Sequence, residues 1–154
     1  METLRLTAAD FTERNGRKEY TGSADVSDYA GSIEIAAGLE WVWFASLKAS
    51  GYILAEAGSG IKAGRGIEAG EGIKAGRGIE AGWGIEAGSG IKAGWGIEAG
   101  FSVDAKWVEA RLRIFAGLCA WRLPDPDEME IRAELRNGVV AFGTLVPAKK
   151  EAVE

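Results

Sequence analysis

Isoleucine recurs at every sixth position from residue 61 to residue 97, and each isoleucine is followed by a charged residue and then by alanine. The copies share the template Ile-[Lys/Glu]-Ala-Gly-x-Gly, from IKAGRG at 61–66 to IEAGFS at 97–102, and VDAKWV at 103–108 is a degenerate last copy. The Ile-charge-Ala triplet is a minimal strand, because alternate side chains of a strand point to the same face. The Gly-x-Gly that follows predicts a turn in which glycine adopts a positive φ.

This pattern predicts an all-β fold, a β-solenoid of hexapeptide repeats. A helix is excluded, because each glycine in a helix interior costs about 1 kcal/mol and every copy contains two. A flexible linker gains nothing from isoleucine at a fixed spacing. A three-residue strand cannot bury its isoleucine alone, whereas coils stacked about 4.8 Å apart line isoleucine and alanine into a continuous core.

The number of residues in a coil is either 12, with two sides, or 18, with three sides. A 12-residue register makes three of six neighbouring pairs of outer charges opposite in sign, whereas an 18-residue register makes one of five opposite. Like charges on neighbouring strands are unfavourable. The 12-residue register also stacks Trp83, Trp95 and Trp107 in one row. We therefore predict 12 residues per coil, with 18 as the alternative.

The flanks are predicted to cap the solenoid with β-hairpins at both ends, because bare terminal strands invite edge pairing. The signals are Asn15-Gly16 and Asn137-Gly138, each between alternating segments. Residues 3–8 predict a strand, residues 123–130 a loop, and residues 107–122 fit a helix or strands, with strands favoured. The predicted single domain, 1–154, divides into an N-terminal cap at 1–32, a solenoid at 33–122 that is most regular at 59–106, and a C-terminal cap at 123–154.

Composition narrows the function classes. The net charge of −5 is modest and gives no basic footprint for direct nucleic-acid binding. No apolar run is long enough to span a membrane, and the first residues do not form a secretory signal, so we expect a cytoplasmic protein. The single cysteine, Cys119, is flanked by apolar residues and is predicted to be a buried structural thiol.

The sequence contains no set of residues typical of catalysis. It has no histidine, the usual general base and the commonest metal ligand. The hexad period resembles the left-handed β-helix acyltransferases, whose catalysis relies on a histidine, so their activity is not expected here. The acidic residues at 125–130 are interpreted as a solvated loop, and the glycine-rich turns as corners rather than phosphate cradles. We expect no enzyme activity, no cofactor and no metal site.

The one variable position of the template is predicted to point outward at a turn. Arginine and tryptophan are enriched at interface hot spots, and a row of exposed aromatic side chains is a large apolar patch. Such a row either binds a partner or is covered by a terminal segment that folds back over it, and both interpretations remain open. The predicted partner-binding residues are Arg65, Arg77, Trp83, Trp95, Phe101 and Trp107.

The phrase GIKAGWGIEAG, within residues 59–101, resembles hexapeptide-repeat β-solenoid proteins encoded by prophages and other mobile elements. Small acidic proteins of such elements include anti-CRISPR inhibitors, which block an effector by binding it. The resemblance implies a non-enzymatic inhibitor whose protein partner is a bacterial defence nuclease guided by nucleic acid. The alternative is a structural, self-assembling β-helix similar to the bactofilins, and a homodimer is compatible with either.

Overall fold

A computed structural model describes residues 2–148 and is all-β, with one curled sheet of 17 strands. The strands are β1 Glu2–Leu6, β2 Phe11–Arg14, β3 Arg17–Tyr20, β4 Gly31–Ile35, β5 Glu40–Phe44, β6 Leu47–Ala49, β7 Ile53–Ala55, β8 Ser59–Ala63, β9 Ile67–Ala69, β10 Ile73–Ala75, β11 Ile79–Ala81, β12 Ile85–Ala87, β13 Gly90–Ala93, β14 Ile97–Ala99, β15 Val103–Phe115, β16 Glu130–Phe142 and β17 Thr144–Val146. Two short 3₁₀ helices span Ala8–Asp10 and Pro126–Met129. Among the described residues no helix has the length and apolar character needed to cross a membrane.

Parallel pairing stacks each repeat strand on the one three hexads away. Ile73 pairs with Ile91, and Ile79 pairs with both Ile61 and Ile97. Three hexads therefore complete one coil of 18 residues, and the predicted 12-residue coil is wrong. The first face contains β4, β7, β10 and β13, the second β5, β8, β11 and β14, and the third β6, β9 and β12.

The charge pattern was a poor guide to coil size, for two physical reasons. Exposed like-charge pairs cost only tenths of a kcal/mol. In addition, strands that flank the regular repeat supply residues of opposite charge, which pair with the charged residues of the repeat. Lys48 lies 3.5 Å from Glu68, and Lys92 lies 3.3 Å from Glu109. The 18-residue register therefore carries little electrostatic cost.

The core is the inward row of isoleucine and alanine that the pattern predicts. Every repeat isoleucine is fully buried, and the repeat alanines are nearly so. Burying one isoleucine side chain contributes about 1.5–3 kcal/mol, far more than any surface charge pair. The charged residue between them points outward and is half-buried or exposed. Burial of the core therefore holds the coils together, whereas the charged residues lie on the outer surface and contribute little to stability.

The repeat glycines are required for a reason other than the one the sequence suggests. None of the glycines at residues 60–100 has a positive φ, so the prediction of left-handed turns is wrong there. Instead the coils approach closely at their corners. A Cβ added to Gly82 would lie less than 3.0 Å from the carbonyl oxygen of Gly64, and one added to Gly88 would meet Gly70 in the same way. Glycine permits the 18-residue stack because any larger residue would push neighbouring coils apart.

The N-terminal flank covers one end of the stack. Strand β2 pairs antiparallel with β3 around Asn15 and Gly16, as the Asn-Gly signal predicts, and β3 pairs with β5. The rings of Phe11, Tyr20 and Phe44 meet there with centroids 5.6–5.9 Å apart. Strand β1 pairs with β4 on another face. Aromatic side chains and added strands therefore close this end.

The C-terminal flank differs from the prediction. Strand β16 runs through Asn137 and Gly138 and pairs in parallel with β15, so the hairpin predicted there is wrong. Both strands bend around corners of the coil, and Gly138 takes φ 109° at one of them. A hairpin would forgo the packing of this strand on the coil below. Residues 107–115 form the end of β15, as the strand interpretation predicts, whereas residues 116–122 lie outside any strand or helix.

We predict that Gly82→Ala lowers the free energy of unfolding by about 2 kcal/mol or more, because the new methyl group overlaps backbone that cannot move away. Gly64→Ala is the matched control, since it changes the same template position one coil below. Its added Cβ would meet only the carbonyl oxygen of Ala45, at 3.7 Å. It should leave the free energy of unfolding within about 1 kcal/mol of wild type. Urea denaturation measures both, and equal losses would contradict close corner packing.

Candidate functional site

Backbone hydrogen bonds between coils identify which corner residues lie above one another. The Trp83 amide donates to the Arg65 carbonyl at 3.3 Å, and the Phe101 amide donates to the Trp83 carbonyl at 3.2 Å. At a second corner the Trp95 amide donates to the Arg77 carbonyl at 3.2 Å. The third corner contains polar side chains, namely Glu71, Ser89 and Lys106.

The predicted row of Trp83, Trp95 and Trp107 therefore does not exist. A spacing of 12 is two thirds of an 18-residue coil, so the first two tryptophans lie at different corners. Trp107 is opposite Gly90 in the strand register and lies beside the guanidinium of Arg136, 4.4 Å from the ring centroid. Of the six predicted residues, the structure brings together Arg65, Trp83 and Phe101 at one corner and Arg77 and Trp95 at another.

The first corner continues into residues beyond the repeat. Phe101 meets Trp121 edge-on, with ring centroids 5.8 Å apart. The Arg122 guanidinium lies 4.3 Å from the Phe101 ring centroid, and that of Arg65 lies 5.7 Å from the Trp83 ring centroid. We call these five residues (Arg65, Trp83, Phe101, Trp121 and Arg122) the aromatic–arginine patch.

The segment after β15 brings Trp121 to this corner. The Gly117 amide donates to the Phe101 carbonyl at 3.0 Å, and the Cys119 amide donates to the Gly100 carbonyl at 2.9 Å. The segment covers part of Phe101 but leaves Trp83 43% exposed and Trp121 65% exposed. A folded-back segment therefore contacts this corner without burying it.

Sequence reasoning missed Trp121 and Arg122, although a signal was present. The pair carries the same residue types as the variable corner position and follows directly on the segment 116–120, which returns to the corner. Cys119, predicted to be buried, is half-buried.

Glu128 holds Arg122 in place. Its two carboxylate oxygens accept hydrogen bonds from Arg122 at 2.9 and 2.6 Å, and one of them also accepts from the Asp125 amide at 3.0 Å. Bidentate pairing of this kind fixes the orientation of a guanidinium. The Arg122 hydrogen bonds, helped by the Asp125 amide, lower the pKa of Glu128 to about 2. Glu128, one of the acidic residues at 125–130 that are interpreted from the sequence as a solvated loop, therefore fixes the orientation of one arginine of the patch.

The second corner forms a shallow groove of about 220 Å³. Trp41 and Trp95 meet edge-on at 6.0 Å, and the Arg77 guanidinium lies 4.9 Å from the Trp95 ring centroid. Trp41 lies against Gly60 and Gly78, where a Cβ would overlap its ring. Trp95 is 42% exposed. The second corner therefore has residue types similar to those of the aromatic–arginine patch, but its two tryptophans pack against each other and Trp41 packs against the coil.

Carboxylates run along two of the faces. Glu68, Glu86 and Asp104 follow one another on the third face, and Glu80 and Glu98 are neighbours on the second. Burial and the adjacent Glu98 raise the pKa of Glu80, while Lys62, 3.7 Å away, partly offsets the shift. No group of three or more acidic or cysteine side chains among residues 2–148 is arranged to hold a metal ion.

Comparison of this chain with known proteins returns no match among family models, among curated proteins or among solved structures.

We predict that Arg122→Leu raises the pKa of Glu128 from about 2 towards its ordinary value near 4.3, because the mutation removes both guanidinium hydrogen bonds. The folded-state pKa is depressed, so the pair stabilises the fold fully above about pH 4.3. This contribution is lost as the pH falls towards 2. Carboxyl ¹³C chemical shifts followed by pH titration measure the change.

Arg65→Leu is the control for this titration, since Arg65 belongs to the same patch but has no hydrogen bond to Glu128. It should leave the Glu128 titration unchanged. A wild-type Glu128 that titrates near pH 4 would refute the bidentate pair.

Proposed function

We propose that this chain is a non-enzymatic protein-binding solenoid that docks a protein partner through the aromatic–arginine patch. The observation that carries the proposal is the exposure of Trp83 and Trp121 at a corner where arginines lie over the rings. The repeat needs only isoleucine, alanine and glycine to fold, so these large side chains are not explained by the scaffold. Tryptophan and arginine are the residue types that dominate interface energetics.

The scaffold favours tight docking through this patch. Each patch residue is attached to a rigid coil or to the segment hydrogen-bonded to it, and Arg122 is oriented by Glu128 before any partner arrives. Binding therefore orders few additional side chains, which reduces the entropic cost of association. A rigid aromatic ridge of this kind fits an apolar groove rimmed by carboxylates or carbonyl groups.

For the partner we propose a bacterial defence nuclease guided by nucleic acid, following the resemblance of the repeat phrase to inhibitors from mobile elements. The charge distribution supports this choice. Glu68, Glu86 and Asp104 lie on the face next to the patch, where Lys48 pairs with Glu68 and Arg132 pairs with Asp104, so the negative excess of this face is small. A nuclease that holds nucleic acid presents basic channels, and acidic faces steer association with such surfaces. The patch would supply affinity and the acidic faces orientation.

A filament-forming role similar to that of the bactofilins is disfavoured by the covered N-terminal end. End-to-end growth requires two complementary ends. Here the hairpin of β2 and β3 and the rings of Phe11, Tyr20 and Phe44 occupy one of them.

We predict that Trp83→Ala combined with Trp121→Ala weakens capture of the partner from bacterial lysate by 30-fold or more, the loss expected from removing hot-spot side chains worth about 2 kcal/mol or more. The matched control is Trp95→Ala, which removes a tryptophan of similar exposure at the other corner. Captured protein, measured against the concentration of immobilised chain, gives the comparison, and urea denaturation checks that each variant is folded. Equal loss in the control, or undiminished capture by the double variant, would contradict the assignment of the patch.

The nuclease part of the proposal has its own test. Purified nucleic-acid-guided nucleases are assayed for cleavage with wild-type chain, the double variant or the Trp95→Ala control. Inhibition by wild type and control but not by the double variant is expected. Loss of capture without inhibition of any nuclease would retain the docking surface and refute the partner class.

A further inference from the structure

The two ends of the solenoid differ in how far their apolar core is covered. At the C-terminal end each face contributes one inward side chain to the last layer, namely Leu135, Val140 and Leu145. In the layer beneath, their partners in the strand register are, in the same order, Val108, Ile114 and Ile131, all fully buried. Leu135 and Val140 are half-buried and Leu145 is 42% exposed. The core therefore reaches this end of the described chain without a closing layer.

The strands of the last layer also have open edges. Strand β16 pairs with β15 beneath it, and β17 pairs with β16 only at Glu130–Arg132. No strand among residues 2–148 pairs with the outer edge of β16 beyond Arg132 or with that of β17. Unpaired strand edges next to an apolar surface are a template for another strand.

The charge of this end suits a second copy of the same chain. Between residues 133 and 148 the only charged side chains are Glu134 and Arg136, which have opposite signs and lie 4.0 Å apart. Two such ends can meet without net repulsion. The exposed residues around them carry no charge and include the apolar side chains of Val139 and Phe142.

If two copies meet at these ends, symmetry limits the assembly to two. A two-fold axis perpendicular to the solenoid, passing through the edge at residues 139–142, places that edge antiparallel to its own copy. The same axis places residues 134–137 against β17 of the second copy, so all three edges gain partners. An isologous contact of this kind closes at a dimer, whereas the covered N-terminal end offers no equivalent surface for growth.

We propose that the C-terminal end of the solenoid is a homodimer interface, in which Leu135, Val140 and Leu145 of two copies complete one continuous core. This interface is separate from the aromatic–arginine patch, so either proposal can fail without the other.

The test is the mass of the full chain in solution, measured by light scattering after size exclusion across a 100-fold range of concentration. We expect twice the chain mass of 16.3 kDa for wild type and the single-chain mass for Leu145→Asp, with an unchanged far-UV circular dichroism spectrum. The matched control is Leu118→Asp, since Leu118 is 40% exposed and its amide bonds to Ala99, lower in the stack. This control should remain a dimer.

A second variant guards against loss of folding in the first. Ala141→Cys places an exposed thiol next to the two-fold axis, where the two copies of residue 141 lie within disulfide reach. This variant should form a disulfide-linked dimer on mild oxidation, whereas Cys119 of wild type should not. A wild-type monomer, filaments that lengthen with concentration, or a dimer that survives Leu145→Asp would each overturn the proposal. So would a wild-type monomer that dimerises only after removal of residues 149–154, since the end would then belong to that segment.

Discussion

The close approach of neighbouring coils at their corners is the constraint on which the rest of this structure depends. The first glycine of Gly-x-Gly faces the carbonyl of the corresponding residue in the coil below, at a separation that excludes a Cβ at most copies. This separation keeps the strands in register and brings isoleucine into contact with isoleucine from coil to coil. A core only one isoleucine and one alanine wide on each face is stable only because no coil is displaced.

The same constraint divides the chain into fixed and free positions. Inward positions need a set volume, and the corner glycines need an absent side chain. Neither requirement applies to the residue between the two glycines, because its side chain points into solvent. Arg65, Trp83 and Phe101 occupy this position in successive coils, and so they form a continuous surface at no cost to the fold. The most variable residue of the repeat is found at this corner position for this reason.

Electrostatics is secondary in this molecule, although it shapes the surface. Glu68 and Glu86 are stacked neighbours, as are Lys74 and Lys92. The stack tolerates them because exposed charges are screened by water, while pairs such as Arg132 with Asp104 compensate nearby. The charges therefore shape the surface, and the apolar interior determines the fold.

The sequence by itself determined the fold class, the inward isoleucine and alanine, the outward charges and the hairpin at Asn15-Gly16, because alternation within a strand and turn chemistry are local properties. It did not determine how many hexads complete a coil, since that depends on the corner angle and on packing between residues 18 apart. Only the tertiary structure separated Trp83 from Trp95 and brought Trp121 and Arg122 beside Phe101. It likewise turned Asn137-Gly138 into a coil corner, because Leu135 and Val140 gain more from packing over β15 than a local turn could supply. Long-range burial outweighs local preference at each of these positions.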